Sequence, residues 1–281
     1  MARWTWCCWP GRSAARVVRL VVVTGGKGGP GATTLAVGLA GAWAAAGRSV
    51  LVADLDPAGG DVAAHLPVED PRRGVAPLLG VVGSRLDAAA VAAESTMAGE
   101  NLWVLNGLPR PDTAELLQPA ATGALLVALW ALDAVDLVVV DPGRLLPGSV
   151  AAVALAAADV GVLAVRPDLP GALAARRALD AAGDLQGLAL VAVGAQRRRS
   201  GDVAELAEAL GRQVDGVVPA DGRGVRRAIQ AARPPGRGRL GHAYATLAAS
   251  LDAGEPTGRT RRGRVRRSDH PSIPVKEEVS T

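Results

Sequence analysis

The stretch GGKGGPGATT, residues 25–34, decides how the rest of the chain is read. It fits the phosphate-loop pattern G-x-x-x-x-G-K-[ST] at Gly26, Gly31 and Thr33, but Ala32 stands where the lysine belongs. A different lysine, Lys27, lies near the start of the loop. The run before it, RLVVVT at 19–24, is apolar enough for a buried strand. The run after it, TTLAVGLAGAWAAAG, reads as a helix over 33–46. A glycine-rich turn between a strand and a helix is the context such a loop requires. Its glycines let successive N–H groups point at phosphate oxygens, and the helix N-terminus adds partial positive charge at the same spot.

Outward from this loop, short Val/Leu runs alternate with Ala-rich stretches. Strands are expected at 19–24, 49–54, 101–105, 136–140, 160–165, 188–193 and 214–218. Their near-continuous apolar character is what a parallel sheet covered on both faces needs. Helices are expected at 33–46, 112–132, 149–157, 170–183, 202–210, 223–231 and 240–251. The alternation predicts an α/β fold: a single doubly wound, mostly parallel sheet with helices on both faces. Trp43, Trp103 and Trp130 are expected in the core.

Two further stretches carry chemistry. In LVADLDPAGGD, residues 51–61, Asp54 ends a strand and Asp56 follows in a loop marked by Pro57, Gly59 and Gly60. Carboxylates at the C-terminal end of a parallel strand face the ligand crevice. One can hold Mg²⁺ through water while the other orients a water for attack on a phosphate. In DLVVVDPG, residues 136–143, four apolar residues lead to Asp141, which is placed to stand behind a magnesium ion. Thr33 would offer the ion its hydroxyl.

Together these pieces resemble the ParA/MinD family of deviant-Walker P-loop ATPases, of SIMIBI type. The family loop reads K-G-G-x-G-K-[ST]; residues 27–33 here read KGGPGAT. By that resemblance Lys27 matches the signature lysine, which in a nucleotide-sandwich dimer reaches the partner's phosphates. Asp54 and Asp56 match the D-x-D-P element, with Asp56 at the water-orienting position. Asp141 and Pro142 match the Walker-B and switch-II element. The stretches at 158–180 and 211–230, and HAYATLAASL at 242–251, resemble the family's later segments. The resemblance implies ATP with Mg²⁺ as cofactor, and a homodimer. It implies binding by Gly26, Lys27, Gly28, Gly29, Gly31, Ala32, Thr33 and Thr34, catalysis by Lys27 and Asp56, and metal contacts from Thr33, Asp54 and Asp141. Where the family reads adenine with an Asn, the sequence is VAVGAQRRR, so either Gln196 takes that role or no side chain does.

The Ala32 and Gln196 departures resemble the TadZ/CpaE-like branch tied to pilus assembly, whose members act as localisation factors. The receiver-like domain that usually precedes the ATPase there has no counterpart in this chain. Ala32 keeps its backbone N–H, so the cradle survives. What is lost is one charge-assisted contact, on the order of 1.5–3 kcal/mol, or roughly tenfold to a hundredfold in affinity. The expectation is an ATP-binding spatial or assembly regulator with a protein partner in a pilus or secretion system and with weak or absent hydrolysis. The alternatives are an active partition-type ATPase cycling on DNA and a nucleotide-free scaffold.

Composition bounds the rest. The chain has 281 residues, 49% of them hydrophobic, with no Phe, so the core must be aliphatic. Its net charge of +4 resides at the ends: residues 1–19 carry four Arg and no acid, and 252–281 six Arg and one Lys against five acids. That leaves −2 for 20–251, which does not indicate a nucleic-acid face built into the core. The two cysteines, Cys7 and Cys8, are adjacent, which excludes a disulfide framework and fits a reducing cytoplasm. No apolar run is long enough for a transmembrane helix. Residues 1–17 are expected to be a disordered extension, 18–251 the nucleotide-binding domain and 252–281 a basic disordered tail. Arg197, Arg198, Arg199, Arg223, Arg226 and Arg227 are candidates for a basic rim that could touch nucleic acid. His65, His242 and His270 have no ligand spacing, so no zinc site is expected.

Overall fold

A computed structural model describes residues 18–253 except 69, 71, 81–85, 110, 183–186 and 197–200. The two chain ends, both cysteines, His270 and Arg197, Arg198 and Arg199 lie outside the described residues. The first strand, β1 (Arg19–Gly25), leads through the glycine loop into α1 (Ala32–Ala45) and then β2 (Val50–Asp54). Three short helices follow, α2 (Val62–His65), α3 (Val75–Leu79) and α4 (Ala88–Glu94), then β3 (Thr96–Gly99) and β4 (Leu102–Leu105). A 3₁₀ turn at Pro111–Leu116 precedes α5 (Pro119–Trp130), β5 (Leu137–Asp141), α6 (Val150–Ala157) and β6 (Val160–Val165). The chain closes with α7 (Leu169–Ala182), β7 (Leu188–Ala195), α8 (Gly201–Leu210), β8 (Gly216–Pro219), α9 (Gly222–Gln230) and α10 (Gly238–Ala253).

The strands form one eight-stranded sheet in the order β3-β4-β2-β5-β1-β6-β7-β8. Every neighbouring pair is parallel except β3 with β4. Alternate residues of each strand feed two cores. Leu20, Val22, Leu51, Ala53, Val138 and Val140 join the core that also holds α5 and α6 residues. Val21, Val23, Val50, Val52, Leu137 and Val139 join the core under α1 and α10. Because both faces are covered, the strands have no polar side to show, which is why they read as unbroken apolar runs.

Three expectations need correction. The helix expected at 112–132 is broken, because Pro119 sits in the first turn of α5 and its predecessor Gln118 is extended at φ −73°, ψ 161°. Trp130 is not core: it is 45% exposed on the outer face of α5, whereas Trp43 and Trp103 are buried. The stretch 57–100, left without elements, holds α2, α3, α4 and the antiparallel edge strand β3.

Both ends of the domain are fastened at one corner. The Arg19 guanidinium donates to Asp252 Oδ1 at 2.8 Å and to the Leu251 carbonyl at 2.6 Å. The Trp43 indole N–H donates to Asp252 Oδ2 at 3.0 Å, and Arg48 lies 3.5 Å from the same oxygen. These groups are partly exposed, so each contact is modest. Asp252→Asn is expected to lower stability by about 1 kcal/mol, read as a fall of roughly 2–4 °C in the melting temperature.

Candidate active site

The glycine loop is built by backbone geometry. Gly29 at φ 75° and Gly31 at φ 90° occupy the left-handed region, where a side chain would be strained. Gly26 is needed for another reason: a Cβ there would fall 2.5 Å from the Ala174 carbonyl oxygen in α7. Gly31 opens α1, and its carbonyl accepts from Leu35 N–H at 2.9 Å. No side chain caps α1 and its first turn holds no acid, so the N–H groups there have no side-chain partner. A helix end in this condition attracts an anion. Lys27 sits at the mouth, partly exposed, with Gly28 and Gly29 exposed beside it. The positive charge of Lys27 reaches Asp168, the residue ahead of α7. Partial burial would raise the Asp168 carboxyl, but the Gly171 N–H, Arg166 and Lys27 outweigh it and hold it below the usual range.

The carboxylates come from two adjacent strands. Asp54 ends β2 and Asp141 ends β5, and the register of the two strands sets them directly side by side. Asp54 is fully buried, accepting from Asp56 N–H at 3.2 Å and Val62 N–H at 3.1 Å. Glycines wall it in: a Cβ on Gly60 would overlap the carboxylate, and one on Gly107 would fall 2.7 Å from its carbon. Burial, then the neighbouring Asp141 charge, pushes Asp54 up to about 8. Burial also lifts Asp141 to about 6, against the pull of the Thr33 hydroxyl and the Gly143 N–H. Asp141 Oδ2 is buried with no hydrogen-bond donor.

Asp56 lies just above, in the loop after β2. Its Oδ1 accepts from Ala58 N–H at 2.8 Å. Gly143, at φ 72°, packs so closely that a Cβ there would fall 2.5 Å from the Asp56 carboxyl carbon. The same residue accepts the Thr24 hydroxyl at 2.7 Å and donates its N–H to Asp141 Oδ1 at 3.3 Å. One glycine thus joins β1, β2 and β5. Gly107, Gly143 and Thr24 were not among the residues singled out from the sequence, although Gly143 directly after VVVDP was a visible signal.

The loop residues 26–34, Asp54, Asp56 and Asp141 are therefore brought to one end of the sheet. Gln196 follows β7 and is exposed, and Val193 of β7 approaches Gly31 closely. Arg223, Arg226 and Arg227 are exposed on α9. Among the described residues no group of three or more His, Cys, Asp or Glu side chains is placed to hold a metal ion by itself. A magnesium ion fits here only if phosphate oxygens and water complete its shell, which is its ordinary habit. The donorless Asp141 oxygen beside Thr33 and the adjacent buried carboxylates suit such an ion. A separate cavity of about 320 Å³ between α9 and α10 is lined by Arg227, Arg233, Arg237 and Pro234. Pro234 packs on Gly41, about 14 Å along α1 from Ala32 by helix rise, so this cavity is not the loop site.

Comparison with known proteins agrees with this layout. Residues 21–226 match the family described as the CobQ/CobB/MinD/ParA nucleotide binding domain. No curated protein matches. A ParA family ATPase from Chlorobium tepidum superposes with a TM-score of 0.72 at 17% identity, covering 82% of this chain and 98% of that one. MinD of the Aquifex aeolicus MinC:MinD cell division complex gives 0.69 at 18%, covering 92% and 99%. The septum site-determining protein MinD of Pyrococcus horikoshii, complexed with Mg-ADP, gives 0.63 at 18%, covering 84% and 96%. At these identities the likeness shows the fold.

Proposed function

We propose, for a chain that belongs to the CobQ/CobB/MinD/ParA family of nucleotide-binding domains, that it binds ATP with Mg²⁺ and works as a switch more than as a motor. The observation that carries this reading is the pair Asp54 and Asp141, buried side by side next to Thr33 at the uncapped start of α1. Two adjacent carboxylates in a dry site call for a cation. The Mg-ADP of the Pyrococcus horikoshii MinD complex supports the choice of ligand.

The backbone N–H groups of residues 26–34 would hold the phosphates, and Ala32 would still give its own. Thr33 would supply a hydroxyl to the ion, with Asp54 and Asp141 behind it. Bound Mg²⁺ would neutralise phosphate charge. Asp56, which accepts from Ala58 N–H and packs against Gly143, would orient a water. With no lysine at position 32, Lys27 is the one cation of the loop, and it would have to reach a phosphate on its own or a partner protomer. That requirement supports nucleotide-dependent dimerisation with slow or absent turnover. The role is that of a cytoplasmic spatial or assembly regulator of pilus or secretion type, acting through a protein partner. Among the described residues no helix is long and apolar enough to cross a membrane.

Isothermal titration with Mg-ATP tests the reading. Ala32→Lys is expected to tighten binding by roughly tenfold to a hundredfold. No heat at millimolar nucleotide, in the wild type and in the variant alike, overturns it. If Ala32→Lys also creates steady hydrolysis, the remaining machinery is intact. The second reading, a partition-type ATPase cycling on DNA, draws on exposed Arg223, Arg226 and Arg227 of α9. Turnover by the wild type that rises with added DNA favours it.

A further inference from the structure

Helices α5 and α6 pack against each other on one face of the sheet, and neither PAATGALLVALW nor VAAVALAA holds a charged residue. The inner side of α5 is core. Its outer side is a stripe of Ala120, Ala124, Val127 and Trp130, all exposed, with Val127 at 65% and Trp130 at 45%. An outer helix normally turns charged residues to water; this one does not. Large exposed apolar side chains on a continuous uncharged face mark a surface that something covers.

The chain itself carries a fitting occupant. Residues 4–9 read WTWCCW, three tryptophans and two cysteines in six positions. They join the domain at Val18, whose side chain belongs to the same core as α5 and α6. The entry point lies between the C-terminal ends of those two helices. Arg19 N–H donates to the Asp136 carbonyl, six residues past Trp130, and Leu20 N–H donates to Asp159, just past α6. Trp130 is then at most about 25 Å from Arg19, and the stripe is about 15 Å long. Eight residues lie between Trp9 and Val18, and the nine steps of chain reach roughly 30 Å when extended. Charge agrees: residues 1–17 hold Arg3, Arg12 and Arg16 and no acid, and exposed Asp133 and Asp159 flank the entry point.

We propose that the Trp4–Trp9 segment docks on the outer face of α5, against Val127 and Trp130. The tether supplies a high effective concentration, so a small apolar contact suffices. This surface lies away from the loop site and does not depend on nucleotide binding.

Cys7 and Cys8 are the only cysteines in the chain, which makes the segment its own reporter. The test is the labelling rate of the full chain by a thiol reagent such as dithionitrobenzoate, native and in urea. Native labelling is expected to be slower by at least ~10-fold, because the thiols react only on undocking. Val127→Asp is expected to bring the rate within about twofold of the unfolded chain, with Trp130→Gln acting in the same direction. Both positions are exposed, and a melting curve checks that each variant is folded. Native labelling as fast as in urea overturns the proposal. So does slow labelling that neither substitution accelerates, which places the segment elsewhere. Sedimentation showing a dimer that Val127→Asp turns into a monomer also overturns it, since a second copy then covers the face.

Discussion

The nucleotide-free protein is expected to lose stability as the pH rises from about 4 to about 8. Asp54 is lifted from 3.8 to about 8 and Asp141 from 3.8 to about 6, both by burial. Below the unfolded value both states carry the protons and nothing is lost. Above it the unfolded chain releases them while the folded site keeps them, so each further pH unit favours unfolding until the folded group ionises. Asp54 contributes over that whole window and Asp141 over its lower half. At about 1.4 kcal/mol per unit the cost reaches several kcal/mol, or on the order of 10 °C in melting temperature. Asp168 and Asp70 shift the opposite way, but both side chains are more than a third exposed, and water screens their effect. Thermal unfolding from pH 4.5 to 8.5 reads the slope directly. Asp54→Asn, which cannot ionise, is expected to remove most of it, and saturating Mg-ATP to flatten it. A melting temperature that stays constant or rises across the window refutes the assignment.

Tyr244→Ala is expected to cost about 3–5 kcal/mol. Tyr244 is 1% exposed in α10, and its ring lies flat against α1 at Gly38, where a Cβ would fall 2.5 Å from the ring. Pro234, ahead of α10, packs in the same way on Gly41. Gly38 of α1 thus leaves a gap that the ring fills, as Gly41 leaves one for Pro234. Removing the ring leaves a cavity between rigid helices, with little freedom to collapse. Urea unfolding would show the loss as a lower midpoint at unchanged slope. A loss below about 1 kcal/mol would mean that α10 closes the gap. Affinity for ATP should change little below the melting temperature, because α1 keeps its first turn.

The long buried strands and the glycine loop were legible in the sequence because their signals are local. Val and Leu runs of this length, rich in β-branched residues and bounded by Gly or Asp, fit covered parallel strands. The segment 57–100 was not legible, since α2, α3 and α4 span only four to seven residues and β3 is a four-residue strand containing Gly. Such pieces take their shape from what they pack on. Trp130 misled because tryptophan is usually buried, whereas here it ends the outer stripe of α5. At the site, the identities of Asp54, Asp56 and Asp141 could be read from strand ends. Their closeness could not, because the register that sets Asp54 against Asp141 belongs to the sheet and to no stretch of chain. The same is true of Gly143, whose contacts with Thr24 and Asp56 bridge more than eighty residues each way.

The Asp252 clamp sets where anything fused to this domain would sit. Residues 19 and 252 meet through one ion pair, so the domain enters and leaves its chain at a single point. That point is the amino edge of β1, and the glycine loop lies at the other edge, about 20 Å away across seven residues of strand. A fluorescent protein or affinity tag joined directly at residue 18 or 253 would stand clear of the nucleotide mouth. A circularly permuted chain could also join the old ends with a short linker and open at a surface turn instead.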